Sequence, residues 1–274
     1  MDNVHYPNQY LSEISERDKP WDDHKNCSRA VSKNFAAVDY DKYAQRVMDC
    51  ANRLTFAVVT DDTGNSVLKL YAARFCRVRH CPICQWRRSM MWRARFLKHI
   101  PRILEDYPTA RFLFLTLTVK NCPITELKNT LDLMNIAWRR LTQLKIFPAI
   151  GFVKSVEVTR AKDGTAHPHF HCLLMVNSNF FTKNYIKQDK WTELWKKSLR
   201  VDYKPLVHIS SIKKPKMDNS HQLHSNMIKA ICETLKYSVK ESDLIADINW
   251  FKELVNQLHK TRAVSLGGVF KTYM

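Results

Sequence analysis

The chain contains only 5 glycines among its 274 residues. Glycine-rich loops of the Walker or Rossmann type are therefore absent, and chemistry that depends on ATP or a dinucleotide is not expected. No apolar run approaches the roughly 18 residues that a membrane-spanning helix needs. The N-terminal stretch MDNVHYPNQYLSEISERDKPWDD also lacks the basic-then-apolar pattern of a signal peptide. These absences predict a cytoplasmic protein that has reduced cysteines and no membrane partner.

Acidic residues are also few compared with basic residues. Lys and Arg number 44 against 26 Asp and Glu, which gives a formal net charge of +18. Hydrophobic residues make up 45% of the chain and aromatic residues 11%, as is typical of a folded globular protein. A folded protein with such a basic surplus most often binds a polyanion, so nucleic acid is the expected partner.

Strand and helix patterns alternate irregularly along the chain. Apolar, β-prone runs at 111–119, 151–160 and 167–176 predict strands, and amphipathic stretches between them predict helices. A basic helix is expected to end at about Pro101, and Thr125 is a plausible cap for the helix that follows 111–119. This order predicts an α+β fold with a central antiparallel sheet flanked by helices.

The stretch AHPHFHCLLMV places three histidines at every second residue. Alternate residues of a strand share a face, so His167, His169 and His171 point to one side of the sheet. Phe170 and Cys172 point to the other side, into a core. Imidazoles in this pattern favour a metal site, and His169 and His171 are the stronger candidates because His167 adjoins a turn.

The preceding strand, GFVKSVEVTR, carries one carboxylate, Glu157. A three-residue loop at 162–164, with its glycine in the left-handed conformation, places Glu157 opposite His169. A two-residue turn would instead pair Glu157 with Phe170, on the wrong face. We adopt the first register, which predicts that His169, His171 and Glu157 bind a divalent cation such as Mg²⁺, Mn²⁺ or Zn²⁺.

A second metal site is indicated by the segment CRVRHCPICQWRRS, which contains Cys76, Cys81 and Cys84. In a reducing compartment this spacing resembles a zinc knuckle that lacks one ligand. We choose Cys50 as the fourth ligand of this structural Zn²⁺, with His80 and Cys27 as alternatives. Arginines around the cysteines are predicted to contact the DNA backbone: Arg77, Arg79, Arg87 and Arg88.

Near the C-terminus, ETLKYSVK places Glu233 and Tyr237 four residues apart, on one face of a predicted helix. Lys236 and Lys240 flank that face and are predicted to contact DNA. A phenol is a poor nucleophile until its phenolate is favoured, which nearby lysines and a metal-bound phosphate could do. From spacing alone, a surface tyrosine beside an intrahelical Glu–Lys pair is the simpler interpretation.

Several of these segments together resemble the plasmid rolling-circle replication initiators, the Rep_1 family within the HUH endonucleases. FLFLTLTVKN resembles the first motif of that family, HPHFHCLLM its metal motif and ETLKYSVK its tyrosine motif. The cysteine segment and KTRAVSLGGVFK are similar to its upstream and end segments. The resemblance covers about residues 45–272, with the motifs in the order found in the family.

The resemblance implies a site-specific DNA endonuclease and strand transferase. Tyr237 is then the nucleophile that forms a 5′-phosphotyrosine link and frees a 3′ hydroxyl, and Glu233 activates water at termination. His169 and His171 bind the cation, which is Mg²⁺ or Mn²⁺. The implied partners are single-stranded or cruciform origin DNA, a host helicase and a DNA polymerase.

We therefore expect a plasmid-associated bacterial protein in four segments. These are a flexible arm (1–45), a zinc-binding hairpin and basic helix (46–108), an HUH endonuclease domain (109–245) and a C-terminal helix and tail (246–274). Two other functions fit parts of the pattern. One is an HUH transposase or relaxase, and the other is a non-enzymatic, zinc-containing DNA-binding regulator.

Overall fold

The structure is a computed structural model that describes residues 10–60, 64–212, 231, 233–235 and 239–274. The chain divides into two compact units. The first comprises 1–87 with 244–252, and the second comprises 88–243 with 253–274. This division differs from the predicted segments, because the boundary falls at residue 87 rather than 108 and the C-terminal region contributes to both units.

The described part of the first unit includes a hairpin and several helices, among them α1 Leu11–Ile14, α2 Lys19–Ala37 and α3 Asp41–Met48. The strands of the hairpin are β1 Leu54–Thr60 and β2 Ser66–Ala73. The predicted arm over 1–45 includes helical residues from Leu11 onwards, and its flexibility stays a prediction. Helix α2 buries Trp21, Val31 and Phe35. Burial of one apolar side stabilises a helix that has many polar residues on its other sides.

The second unit contains a five-stranded sheet in the order β6-β3-β5-β4-β7, in which all neighbours are antiparallel. The strands are β3 Arg111–Thr118, β4 Ala149–Arg160, β5 Ala166–Val176, β6 Val207–Ser211 and β7 Val264–Gly268. Further helices among the described residues are α4 Pro82–Asp106, α5 Leu127–Thr142, α6 Gln188–Leu199, α7 Glu241–Ile245, α8 Ile248–Gln257 and α9 Val269–Tyr273. The predicted α+β architecture with a central antiparallel sheet is confirmed.

One face of the sheet packs against α5 and α6. Phe152 of β4 meets Trp138 of α5 edge-on, with ring centroids 5.0 Å apart. Phe170 of β5 lies 6.4 Å from Trp195 of α6, and Cys172 beside it is fully buried. The prediction that Phe170 and Cys172 point away from the histidines, into a core, is confirmed.

The other face is apolar over one half of its length. Its core is formed by Phe96, Ile100, Ile103, Phe112, Val153, Leu173, Met175, Ile231, Leu235 and Phe270. Leu173 and Met175 follow His169 and His171 at period two on β5, so this core and the histidines share one face. The helical residues around Ile231 and Leu235 thus pack on the face that carries the imidazoles.

Two predicted helix ends are wrong. Helix α4 continues through Pro101 to Asp106 because Ile100 and Ile103, on either side of the proline, are buried in the core. Thr125 lies inside a short 3-10 helix, Ile124–Glu126, and does not cap α5, which begins at Leu127.

Across the described part of the chain, no helix combines the length and the apolarity needed to cross a membrane.

Candidate metal centre and nuclease site

The hairpin of β4 and β5 determines which side chains meet. Glu157 pairs with His169, as the three-residue loop predicted. The Ala161 amide donates to the Thr165 carbonyl at 2.9 Å, and Gly164 has a φ of +82°, in the left-handed region that favours glycine. The predicted register is confirmed, and it places Glu157 on the same face as the histidines.

Glu157 contacts both inner histidines through one carboxylate oxygen. Its Oε2 lies 3.0 Å from Nε2 of His169 and 2.7 Å from Nε2 of His171. The solvent-exposed fraction is 5% for Glu157, 9% for His169 and 7% for His171. Two imidazole nitrogens and a carboxylate oxygen therefore converge at a nearly buried point at the edge of the apolar core.

The opposite nitrogens of the two imidazoles have partners of their own. His169 Nδ1 lies 3.2 Å from the His167 carbonyl, a position from which it can only donate. His171 Nδ1 lies 3.3 Å from Thr116 Oγ1 on β3, and the ring stacks on Phe114 at 5.6 Å. Such outer contacts fix ring orientation and leave Nε2 facing the carboxylate.

Thr116 is a site residue that the sequence analysis missed. The run FLFLTLTV is so apolar that its threonines are inconspicuous. The available signal was strand alternation, which gives Thr116 and Thr118 a common face. That this face carries the histidines depends on the pairing of Thr116 with His171 across strands 55 residues apart.

The three converging groups fit a divalent cation. Their ligand atoms all lie within 4.8 Å of one another. Two ligands that each lie about 2.0–2.2 Å from one ion are separated by roughly 3 Å, close to the spacings found between Glu157 and the imidazoles. His167 is not in this group. Its Nδ1 lies 2.6 Å from Asn121 Oδ1, and partial burial lowers the pKa of its imidazole.

The predicted tyrosine motif is only partly described. Tyr237 and Lys236 lie outside the described residues. Glu233 and Lys240, on either side of them, are both exposed. The roles predicted for these four residues therefore stay predictions.

Described residues on both sides of position 237 contact strand β4. The Ser155 hydroxyl donates a hydrogen bond to the Thr234 carbonyl, and Val239 forms a parallel bridge with Val158. Ser155 is two residues from Glu157 and therefore shares its face of the sheet. Thr234 and Val239 thus contact β4 at positions just before and just after Glu157.

Four cysteines of the first unit form a second group that could hold a metal: Cys50, Cys76, Cys81 and Cys84. Sγ of Cys84 lies 3.6 Å from the sulfurs of both Cys50 and Cys76. Among the described residues, neither His80 nor Cys27 belongs to the group. The structure therefore favours Cys50 over these alternatives as the fourth partner.

Backbone amides point at the sulfurs of this cysteine group. The amide of Arg77, a residue with a φ of 58°, donates to Cys84 Sγ at 3.3 Å. The Cys76 amide donates to Cys50 Sγ at 3.4 Å. The pKa of the Cys84 thiol is lowered, first by a hydrogen bond from Cys50. A stabilised thiolate is the form that binds Zn²⁺.

The predicted DNA-contacting arginines differ in their surroundings. Arg77 is exposed, whereas Arg79, Arg87 and Arg88 are partly buried. The Arg87 guanidinium lies 5.4 Å from the Trp21 ring and 5.7 Å from that of Trp86, and burial lowers its pKa. These stacking contacts are typical of cation–π packing, and contact with DNA stays a prediction for all four arginines.

Comparison with known proteins agrees with the motifs. The replication protein family Rep_1 matches residues 67–274, which is most of the chain. The chain belongs to the Rep_1 family. The histidine strand, β5, lies within the matched region.

The coverage of this chain by three curated relatives ranges from 64% to 93%. A Protein rep of Bacillus amyloliquefaciens is 36% identical over 261 residues, which covers 88% of this chain and 75% of the relative. A Protein rep of Streptococcus pneumoniae serotype 2 is 36% identical over 263 residues and covers 93% and 78%. A replication protein of Staphylococcus aureus is 36% identical over 185 residues, covering 64% and 77%. No solved structure matches the chain.

Proposed function

We propose that this Rep_1 protein is a plasmid rolling-circle replication initiator that nicks and rejoins single-stranded or cruciform origin DNA. The observation that carries the proposal is the convergence of Glu157, His169 and His171 on the sheet face where Ser155 bonds to Thr234, three residues before Tyr237 in the sequence. The net charge of +18 supports binding of a polyanion.

Glu157, His169 and His171 would hold a divalent cation, Mg²⁺ or Mn²⁺. Such an ion withdraws charge from a phosphate oxygen and orients the phosphodiester. Thr116 and the His167 carbonyl keep the imidazoles turned so that both Nε2 atoms face the carboxylate. This arrangement needs no rotation of the imidazoles before substrate arrives.

The proposed reaction conserves the energy of the cleaved bond. The Tyr237 oxygen attacks phosphorus and its proton passes to solvent, while the P–O bond to the upstream 3′ oxygen breaks and that oxygen takes up a proton from solvent. The products are a 5′-phosphotyrosine and a free 3′ hydroxyl, which a host polymerase extends while a helicase separates the strands. Because the phosphodiester is exchanged rather than hydrolysed, a later attack by a 3′ hydroxyl restores the DNA strand without ATP.

The deciding experiment incubates the protein with labelled single-stranded origin DNA and Mn²⁺ or Mg²⁺. We expect a covalent protein–DNA adduct that survives denaturation. Tyr237→Phe and added EDTA should each abolish it, whereas Tyr203→Phe, which changes a tyrosine in the second unit outside the predicted motif, should retain it. DNA binding without an adduct in the wild type would favour the regulator function instead.

The exposed carboxylate of Glu233, one helical turn before Tyr237 in the sequence, is proposed to activate water at termination. The Glu233→Ala variant should then cleave origin DNA at an unchanged rate. It should fail to release the tyrosyl adduct by hydrolysis. Glu233→Gln is the matched variant because it keeps the size and removes the base. Hydrolytic release at the wild-type rate in both variants would remove Glu233 from this role.

The cysteine group is proposed to hold a structural Zn²⁺. Four sulfurs within one cluster, with backbone amides directed at three of them, match a closed tetrahedral site rather than a catalytic one. Such a site stabilises its surroundings and takes no part in phosphoryl transfer.

A further inference from the structure

A pocket of about 480 Å³ opens in the second unit, between the connection from α5 to β4 and the connection from β5 to α6. Its lining comprises Lys145, Ile146, Phe147, Pro148, Asn177, Asn179, Phe180, Lys183, Asn184, Tyr185 and Ile186. The volume lies within the range of small-ligand sites. The nuclease function proposed above does not use this pocket.

The aromatic part of the lining combines fixed and exposed rings. Phe147 packs edge-on against Trp138 and Trp191, with centroids 6.0 and 6.1 Å away. Phe180 is buried and lies 5.7 Å from Tyr185, whose side chain is 60% exposed. A rigid apolar floor therefore lies beside a solvent-accessible aromatic face, which is the arrangement on which an unpaired base can stack.

The polar part of the lining is cationic and rich in amides. Its residues are two lysines and three asparagines: Lys145, Lys183, Asn177, Asn179 and Asn184. None of the residues that line the pocket is acidic. Ammonium groups attract phosphate, and asparagine amides can both donate to and accept from a base edge.

The loop that carries these groups is ordered by its own backbone. The amide of Lys183 donates to the Asn179 carbonyl at 2.9 Å, and the Phe180 amide donates to the Asn177 carbonyl at 3.1 Å. Phe180 anchors the loop because it is almost fully buried. The polar groups are therefore held in place before a ligand arrives, which reduces the entropy lost on binding.

We propose that this pocket is an accessory site for a nucleotide of single-stranded DNA. An unpaired base stacks on Tyr185, the asparagine amides bond to its edge, and Lys145 and Lys183 neutralise the adjoining phosphates. A base inside a duplex offers no free face to Tyr185, so the site selects single strands. The proposal rests on the proposed DNA-binding function but not on the nicking chemistry.

The pocket is distinct from the metal group. His169 lies near the start of β5 and Asn177 directly follows its end, eight residues along the strand. At about 3.3 Å per residue, this separation is roughly 26 Å. A bound strand that occupied both places would therefore be held at two separated points.

The test measures binding of a fluorescently labelled 20-nucleotide single strand by the full chain in EDTA, where covalent chemistry is excluded. Tyr185→Ala should weaken binding by about 10- to 100-fold, whereas Tyr185→Phe should restore it, because stacking needs only the ring. Lys183→Ala should reduce the slope of log affinity against log salt by about 0.7. Lys128→Ala is the matched control, an exposed lysine at the start of α5.

A second measurement locates the bound strand directly. A single strand that carries 5-bromouracil, irradiated on the protein, should crosslink to the peptide that contains residues 177–186. Wild-type affinity in Tyr185→Ala, together with crosslinks only elsewhere, would overturn the proposal. Adduct formation is assayed separately with Mn²⁺. A protein that forms the adduct but fails both the binding and the crosslinking test would overturn the proposal for the pocket and leave the proposed nuclease function intact.

Discussion

At the scale of single residues, Glu157 has the most connected position in the candidate site. One of its carboxylate oxygens contacts His169 and His171, and each of those imidazoles has a partner on its far side. An oxygen shared in this way ties two ligands into a single rigid group. Substitutions next to the group are therefore expected to alter metal affinity even when they remove no ligand atom.

Thr116 provides the sharpest test of that expectation. Thr116→Val keeps the shape of the side chain but removes the hydroxyl that lies 3.3 Å from His171 Nδ1. We expect Mn²⁺ affinity, measured by calorimetry, to fall about 10-fold because the ring is less well oriented. Thr130→Val is the control, since the Thr130 hydroxyl bonds to the Glu126 carbonyl and the Cys122 side chain, neither of which belongs to the metal group. Equal affinities in the wild type and Thr116→Val would contradict the orienting role.

Lys154 lies on β4, the strand of Glu157, but on the opposite face of the sheet. Its burial leads to a prediction about how stability depends on pH. Lys154 is 5% exposed, its ammonium donates to Asn135 Oδ1 at 2.6 Å and lies 3.8 Å from the Phe170 ring centre. Burial lowers its pKa from 10.5 to about 8. Below pH 8 the group is protonated in both the folded and the unfolded state, so the full penalty of burying the charge persists.

As pH rises from about 8 to 10.5, the folded protein releases the Lys154 proton while the unfolded chain still binds it. The free energy of unfolding should then rise, by up to about 3 kcal/mol, over this interval. Lys154→Met should lack this rise, whereas Lys128→Met, at an exposed position, should keep it. Urea unfolding at pH 7.5 and pH 10 measures the difference, and parallel pH dependence in the wild type and Lys154→Met would refute it.

At the scale of elements, the tyrosine segment depends on its attachments to β4. The hydrogen bond from Ser155 to the Thr234 carbonyl lies three residues before Tyr237, and the Val158–Val239 bridge lies two residues after it. Ser155 does not belong to the metal group formed by Glu157, His169 and His171. We therefore regard it as a positioning residue for the proposed nucleophile.

Ser155→Ala should slow adduct formation about 10-fold without changing Mn²⁺ affinity, because only the placement of the segment is disturbed. Ser155→Thr keeps a hydroxyl and should restore part of the rate. A loss of metal affinity that parallels the loss of rate would show that Ser155 acts on the metal group instead.

The sequence predicted those elements whose signals are local. The β4–β5 register followed from one loop length and the glycine at 164, and with it the meeting of Glu157 and His169. The helical character of 11–48 and the passage of α4 through Pro101 were missed, because burial within the folded protein decides both. Thr116 was missed for a related reason: a contact between strands far apart in sequence has no local signal.

At the scale of the whole molecule, the chain separates two groups with metal-binding capacity. The four cysteines belong to the first unit, and Glu157 with the two histidines belongs to the second. Soft sulfur ligands in one unit and nitrogen and oxygen ligands in the other select different ions. The two sites can therefore be loaded and removed independently.

Zinc removal tests this separation. Cys84→Ser should abolish the bound zinc measured by elemental analysis and lower the thermal midpoint by at least about 5 °C, because ligand binding stabilises the fold that contains it. Mn²⁺ binding to the histidine group should persist. Cys27→Ser, a cysteine outside the group, should keep its zinc. Zinc retained in Cys50→Ser but lost in Cys27→Ser would assign the fourth ligand to Cys27.

Glu157 and His169 lie opposite each other on the two strands of a single hairpin. The three members of the metal group therefore fall within 15 residues of chain, 157–171. Insertion or deletion of one residue in the connecting loop would shift the strand register and turn the carboxylate to the opposite side of the sheet from the imidazoles.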